Sequence, residues 1–181
     1  MTTAYEVAQY AASKHQFYGE MQQHKLMYYA QAWSLTWDGV LMFNEEIEAW
    51  KDGPVVPSLR DIEVSADADA PLDERQKSVV DAVMKYYGAL DGKTLSRLTH
   101  AENPWRNARG DLPENAPCST PISPETMRRT YSAQSREGKG PRRAAGAIRE
   151  VANMTDVLRH ASDASKRWDR TLSLLAQLSA N

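Results

Sequence analysis

The chain has 181 residues, 41% of them hydrophobic and 25% charged, with a formal net charge of −2. That balance is ordinary for one soluble globular domain and gives no global pull toward nucleic acid. A single cysteine, Cys118, excludes an internal disulfide, and no apolar run approaches the roughly 20 residues a membrane helix needs.

At the N-terminus Glu6, Gln9 and Tyr10 interrupt any apolar leader, so a cytoplasmic location is expected. Over 3–17, Ala4, Val7, Ala8, Ala11 and Ala12 recur at helical spacing, with Thr3 placed to cap the start. The stretch KLMYYAQAWSLTWDG, residues 25–39, is the densest in aromatic residues. Leu26, Tyr29, Ala30, Trp33 and Trp37 form one stripe, and Tyr28, Ala32 and Leu35 fill a second face. A helix apolar on most sides is a central helix, packed all round. Between Tyr28 and Trp37 there is no basic residue, so a stacking platform for single-stranded nucleic acid is not expected. The helix ends at Gly39. VLMF (40–43) and EIEAW (46–50) read as two short strands joined by Asn44 and Glu45. In DGPVVP, Pro54 and Pro57 forbid regular helix and leave an extended segment that tucks Val55 and Val56 into the core.

Val79, Val80, Val83, Met84 and Tyr87 make a helical stripe in 73–88, and Leu95 and Leu98 mark a short helix ending near His100. Asn103 before Pro104, and Ser123 before Pro124, each read as an N-cap followed by a proline at the first helical position. In the second of these helices Met127 and Tyr131 face inward; between the two lies a polar, proline-rich loop. Charge then changes. Residues 1–60 and 61–135 each sum to −3, whereas 136–181 sum to +4, and Gly138, Gly140 and Pro141 punctuate the join. This divides the chain into a body, 1–135, and a basic extension, 136–181. In the extension Val157, Ala161, Ala164, Trp168, Leu172 and Leu175 follow an amphipathic helical spacing, with Arg159, Lys166, Arg167 and Arg170 on or beside the polar side. The fold class is mainly α: a compact helical domain with a small β-hairpin, plus a C-terminal helical extension.

Groups for chemistry are few. The four histidines form no HExxH pair, Cys118 has no CxxC partner, and no phosphate-binding glycine loop or nucleophile elbow occurs. No cofactor, metal or catalytic residue is therefore expected, and the chain is read as a non-enzyme. THAENPWRNAR gathers His100, Glu102, Arg106 and Arg109 where two short helices meet, with carboxylate and guanidinium close enough to pair. Arginine beside Trp105 is a composition common at binding hot spots. Candidate partner-binding residues are thus His100, Glu102, Trp105, Arg106 and Arg109 in the body, and Arg159, Arg167 and Trp168 in the extension. An enzyme built on His100, Glu102 and the arginines is the rival reading; a DNA-binding role for the tail is another, although five acidic residues are mixed among its nine basic ones.

KLMYYAQAW, EAWKDGPVVP, LTHAENPWRNAR and ISPETMRRTYS, in this order and spacing, resemble the Panacea domain, the SocA-type antitoxin family of bacterial and phage toxin–antitoxin systems. The resemblance covers roughly residues 3–132 and leaves the extension outside. It implies a mainly helical antitoxin that neutralises a cognate protein toxin by direct binding. It also implies two alternatives: an adaptor that delivers the toxin to a protease, or a phage or prophage counter-defence or regulatory protein. The partner is then a toxin, with a protease in the adaptor reading. Separately, the apolar face of the extension makes a second copy, bound through the C-terminal helix, an expected partner. Membrane and nucleic acid are not expected partners.

Overall fold

The computed structural model describes residues 2–144. The helix expected over 157–175, and with it Arg159, Arg167 and Trp168, lies outside the described residues. Six helices and a two-stranded antiparallel hairpin make up the described part, so it is mainly α with a small hairpin, as expected.

Helix α1 spans Ala4–Lys14 and starts in a reciprocal cap: the Thr3 hydroxyl accepts from the Glu6 amide at 3.2 Å, and the Glu6 carboxylate accepts from the Thr3 amide at 2.7 Å. Its buried face is Ala4, Val7, Ala8, Tyr10 and Ala11; four of these five are small, which lets α3 approach closely. Helix α2, Glu20–Trp37, is the centre. Leu26, Met27, Tyr28, Tyr29, Ala30, Ala32 and Trp33 are fully buried, and helices α1, α3 (Glu74–Tyr87), α4 (Gly92–His100) and α6 (Pro124–Arg136) pack around it. Tyr29 stacks on Tyr87 of α3 at 3.9 Å between ring centroids, while Tyr28 and Trp33 meet Tyr131 of α6 at 6.0 and 5.6 Å. Asp73 and Ser123 cap α3 and α6. The aromatic run is therefore a core.

That central helix also buries polar side chains, and they tie down the loops. Gln22 Nε2 donates to the carbonyls of Gly88 and Leu90 at 2.9 and 2.8 Å. Ser34 donates to the Val40 carbonyl at 2.9 Å. Gln31 receives the amides of Met42 and Phe43 on Oε1 at 2.7 and 3.3 Å and returns a bond from Nε2 to the Phe43 carbonyl at 3.1 Å. This explains the one displaced element. Residues 40–43 are not a strand, because the Gln31 amide takes the groups a ladder would need. The hairpin lies further on, with β1 at Glu48–Trp50 and β2 at Gly53–Val55, paired Glu48 to Val55 and Trp50 to Gly53. Gly53 turns at φ 102°, and a Cβ there would fall 2.6 Å from Lys25 Cε, so the turn requires glycine. Val55 and Val56 are buried, as expected.

Helix α5, Asn103–Arg109, follows α4 almost without a break. Its N-cap residue is Glu102 rather than the expected Asn103, because the Glu102 amide still bonds the Thr99 carbonyl of α4 at 3.2 Å. After α6 the chain folds back. Pro141 is buried, a Cβ on Gly140 would lie 2.2 Å from Trp33 Cζ2, and Arg143 pairs with Asp38 at the end of α2. Residues 140–143, at the punctuated join between body and extension, are seated on the body.

Candidate functional site

The α4–α5 junction brings together part of the expected cluster and splits off one member. Trp105 is its centre. The indole Nε1 donates to the Trp50 carbonyl of β1 at 2.8 Å, His100 stacks on the ring at 3.8 Å and 12°, and the Arg109 guanidinium lies over it at 4.8 Å. Arg109, 4% exposed, donates Nη1 to the Ala49 carbonyl at 3.0 Å and Nη2 to the carbonyls of Pro113, Glu114 and Ala116 at 2.7, 3.1 and 2.8 Å. It thereby fixes the 110–120 loop against β1. Arg106 is exposed on the same rim, and these groups line a small pocket of about 240 Å³.

Glu102 faces the other way. The expected carboxylate–guanidinium pair does not form: among the described ion pairs none joins Glu102 to Arg106 or Arg109. Its carboxylate turns inward, accepting a short hydrogen bond from the Tyr131 hydroxyl and one from Gln134 Nε2 at 3.4 Å. Tyr131 and Tyr28 share a second hydroxyl contact at 3.0 Å. One proton on Tyr131 serves only one of the two, so Tyr28 supplies the other. The Tyr29 hydroxyl is close enough to help hold down the Glu102 pKa, yet it makes no hydrogen bond of good geometry. Burial outweighs these donors and pushes the carboxyl up to about 7. Desolvation likewise holds the tyrosine hydroxyls well above their ordinary value. Lys25 is also buried, 1% exposed, and burial lowers it to about 8.

One arrangement imitates a catalytic triad. Ser96 Oγ lies 3.4 Å from His100 Nε2, and His100 Nδ1 lies 3.0 Å from Glu114 Oε1. The serine proton, however, is donated to the Asp52 carbonyl at 2.7 Å, and Ser96 is 9% exposed. A nucleophile must give its proton to the base and meet a substrate; Ser96 is placed for neither. It is a helical serine that secures the hairpin turn. Among the described residues, no group of three or more His, Cys, Asp or Glu side chains could hold a metal ion, and no helix is long and apolar enough to cross a membrane.

Fold and site together define a helical domain with an aromatic core, loops fastened from the central helix, and an Arg–Trp–His rim. Residues 24–106, from α2 into the first turn of α5, match the family model described as antitoxin SocA-like, Panacea domain, and over this segment the chain is similar to that antitoxin family. The match bears out the resemblance seen in the sequence over this narrower span. Residues 3–23 and 107–132 of the resemblance lie outside it. No curated protein and no solved structure matches the chain.

The residues that sequence reasoning missed are Gln31, Lys25 and the Tyr131–Glu102 contact. A signal for the first two was present. Glutamine and lysine inside an all-round apolar helix must be buried, and buried polar groups need partners.

Proposed function

We propose that the chain is an antitoxin that neutralises a cognate toxin by direct protein–protein binding. The observation that carries this reading is the antitoxin family match over residues 24–106. The geometry supports it by giving the catalytic rival little to work with: Glu102 is turned away from the arginines, and the Ser96 proton is held by a backbone carbonyl. We place toxin contacts on the rim of His100, Trp105, Arg106 and Arg109. Exposed Arg106 meets the partner there, and the buried Arg109 and Trp105 keep the rim rigid. Glu102 shapes this rim from behind. Arg159, Arg167 and Trp168 remain candidates for a second contact by the extension.

Expression of the adjacent reading frame, alone and together with this chain, tests the proposal. The expected result is growth arrest by the first product, relief on co-expression, and co-elution of the two proteins. Ser96→Ala should relieve arrest as well as the parent does. Relief without a complex, or relief lost in a folded Ser96→Ala protein, rejects binding as the mechanism.

A further inference from the structure

A groove of about 720 Å³ opens between the end of α1, the start of α2 and the loop over 61–66. Its apolar lining includes Phe17, Val64 and Ile62, the last 45% exposed. Its charged lining is Glu20, Asp61 and Glu63, with no lysine or arginine. The loop continues the same sign: Asp61, Glu63, Asp67, Asp69, Asp73 and Glu74 follow without one basic residue among them. The nearby cations are occupied, Arg60 on Asp61 and the Trp50 ring, and Lys14 over the Tyr10 ring. Within the lining Gln23 is 6% exposed, and its Nε2 is buried with no hydrogen-bond partner in the described structure. Buried amide donors are nearly always satisfied. This one borders the groove, where an entering carbonyl would accept from it.

We infer that this groove receives a segment of the toxin that carries lysine or arginine beside an apolar face. The apolar residues enter over Phe17, Ile62 and Val64. The cations meet Glu20, Asp61 and Glu63, and a carbonyl of the segment takes the Gln23 proton. The inference rests on the antitoxin reading and adds a second contact region to it, on the side of α2 that Gln23 occupies. An acidic rim around an apolar floor selects by charge and holds by burial.

The test uses the full-length chain and a synthetic amphipathic helix of about sixteen residues built from leucine and lysine, long enough to fold on a surface. A second peptide has glutamate for every lysine. NMR titration should move the Gln23 side-chain amide and the signals of Ile62 and Val64 with the lysine peptide only. Asp61→Asn with Glu63→Gln should weaken that binding by about tenfold, through loss of two facing charges. Asn tolerates the φ of 56° at position 61, so the variant should stay folded. Glu125→Gln on α6 should bind as the parent does. Equal binding of both peptides, shifts confined to other surfaces, or an unaffected double variant overturns the proposal. Groove signals that move on dilution of the chain alone assign the groove to a second copy. Signals that move on Leu172→Asp assign it to the chain's own C-terminal segment. Either result also overturns it. A double variant that still neutralises and co-elutes with the toxin keeps the antitoxin reading and removes the groove. A chain that takes the peptide in the groove but neutralises nothing does the reverse.

Discussion

Arg143 holds Asp38 with both guanidinium ends, Nη1 to Oδ1 at 2.6 Å and Nη2 to Oδ2 at 3.2 Å, and the two side chains are 10% and 9% exposed. Further bonds run from Arg143 to Ser78 Oγ at 2.8 Å and to the Arg75 carbonyl at 3.0 Å. One side chain therefore ties the segment after α6 to both α2 and α3. Removing one partner of a covered pair leaves the other charge uncompensated, at a cost of about 3–5 kcal/mol. Arg143→Ala should lose on the order of 3 kcal/mol in urea unfolding, and Asp38→Ala a comparable amount. The double variant should fall well short of the sum. An Arg143→Ala protein as stable as the parent would show that the contact does not hold in solution.

Gly140 makes the same point by shape. It has a φ of 94°, and a Cβ would land 2.2 Å from Trp33 Cζ2. Gly140→Ala must shift either the strap or the indole. We expect a lower melting temperature and a red-shifted tryptophan emission; an unchanged emission and melting curve would contradict the contact.

Gln31→Leu keeps the volume of the side chain and removes its polar atoms. The amides of Met42 and Phe43 and the Phe43 carbonyl would then be buried without partners, each such group costing about 1–3 kcal/mol. The expected loss is about 3 kcal/mol or more, with hydrogen exchange at 42 and 43 accelerated ahead of exchange elsewhere in the core. Uniform acceleration would instead mean global destabilisation without a local role.

Arg109→Lys keeps the charge and discards the planar fork. A single ammonium cannot reach Ala49 on one side and three loop carbonyls on the other. We expect the 110–120 loop to become susceptible to proteolysis while the melting of the helical core changes less. A lysine variant with parental protease resistance would show that charge, and not geometry, fixes the loop.

Glu102 gives a pH dependence of definite sign. Its folded value of about 7 lies above the ordinary carboxylate value, so the native state holds a proton that the unfolded chain has released. Stability contributed at this site is therefore complete at acid pH and declines as pH rises from about 4.5 through 7. Glu102→Gln mimics the protonated form. It should match the parent near pH 5 and exceed it near pH 8 by on the order of 3 kcal/mol. Comparing variant with parent at each pH cancels Lys25 and His24, which burial shifts downward. A variant less stable than the parent at pH 8 would mean that the ionised carboxylate stabilises the tyrosine cluster.

Much of the scaffold could be read from residue spacing. Thr3 and Ser123 announced their helices, because a cap is a local hydrogen bond between neighbours in sequence. The all-round apolarity of 25–37 marked the central helix for the same reason: burial on every side leaves no room for a polar face. The hairpin was placed several residues early because its competitor, Gln31, sits on another element. Side-chain direction at the α4–α5 junction was likewise illegible. His100 and Glu102 are two residues apart, yet the chain turns between the helices and sends one to Trp105 and the other to Tyr131. Burial of Gln23, which precedes the apolar run, was equally hidden, since it carries polar atoms that periodicity assigns to the surface.

The hairpin limits how any partner can bind. On the outer side of β1 the Ala49 amide donates to the Thr120 carbonyl at 2.9 Å, and the Ile122 amide donates to the Ile47 carbonyl at 2.7 Å. On the outer side of β2 the residue directed away from β1 is Pro54, which has no N–H to offer. Neither edge presents a row of free donors and acceptors, so a partner peptide has no free edge to join as an added strand. Recognition at this end of the molecule cannot be sequence-blind main-chain pairing. It has to discriminate by what the side chains are.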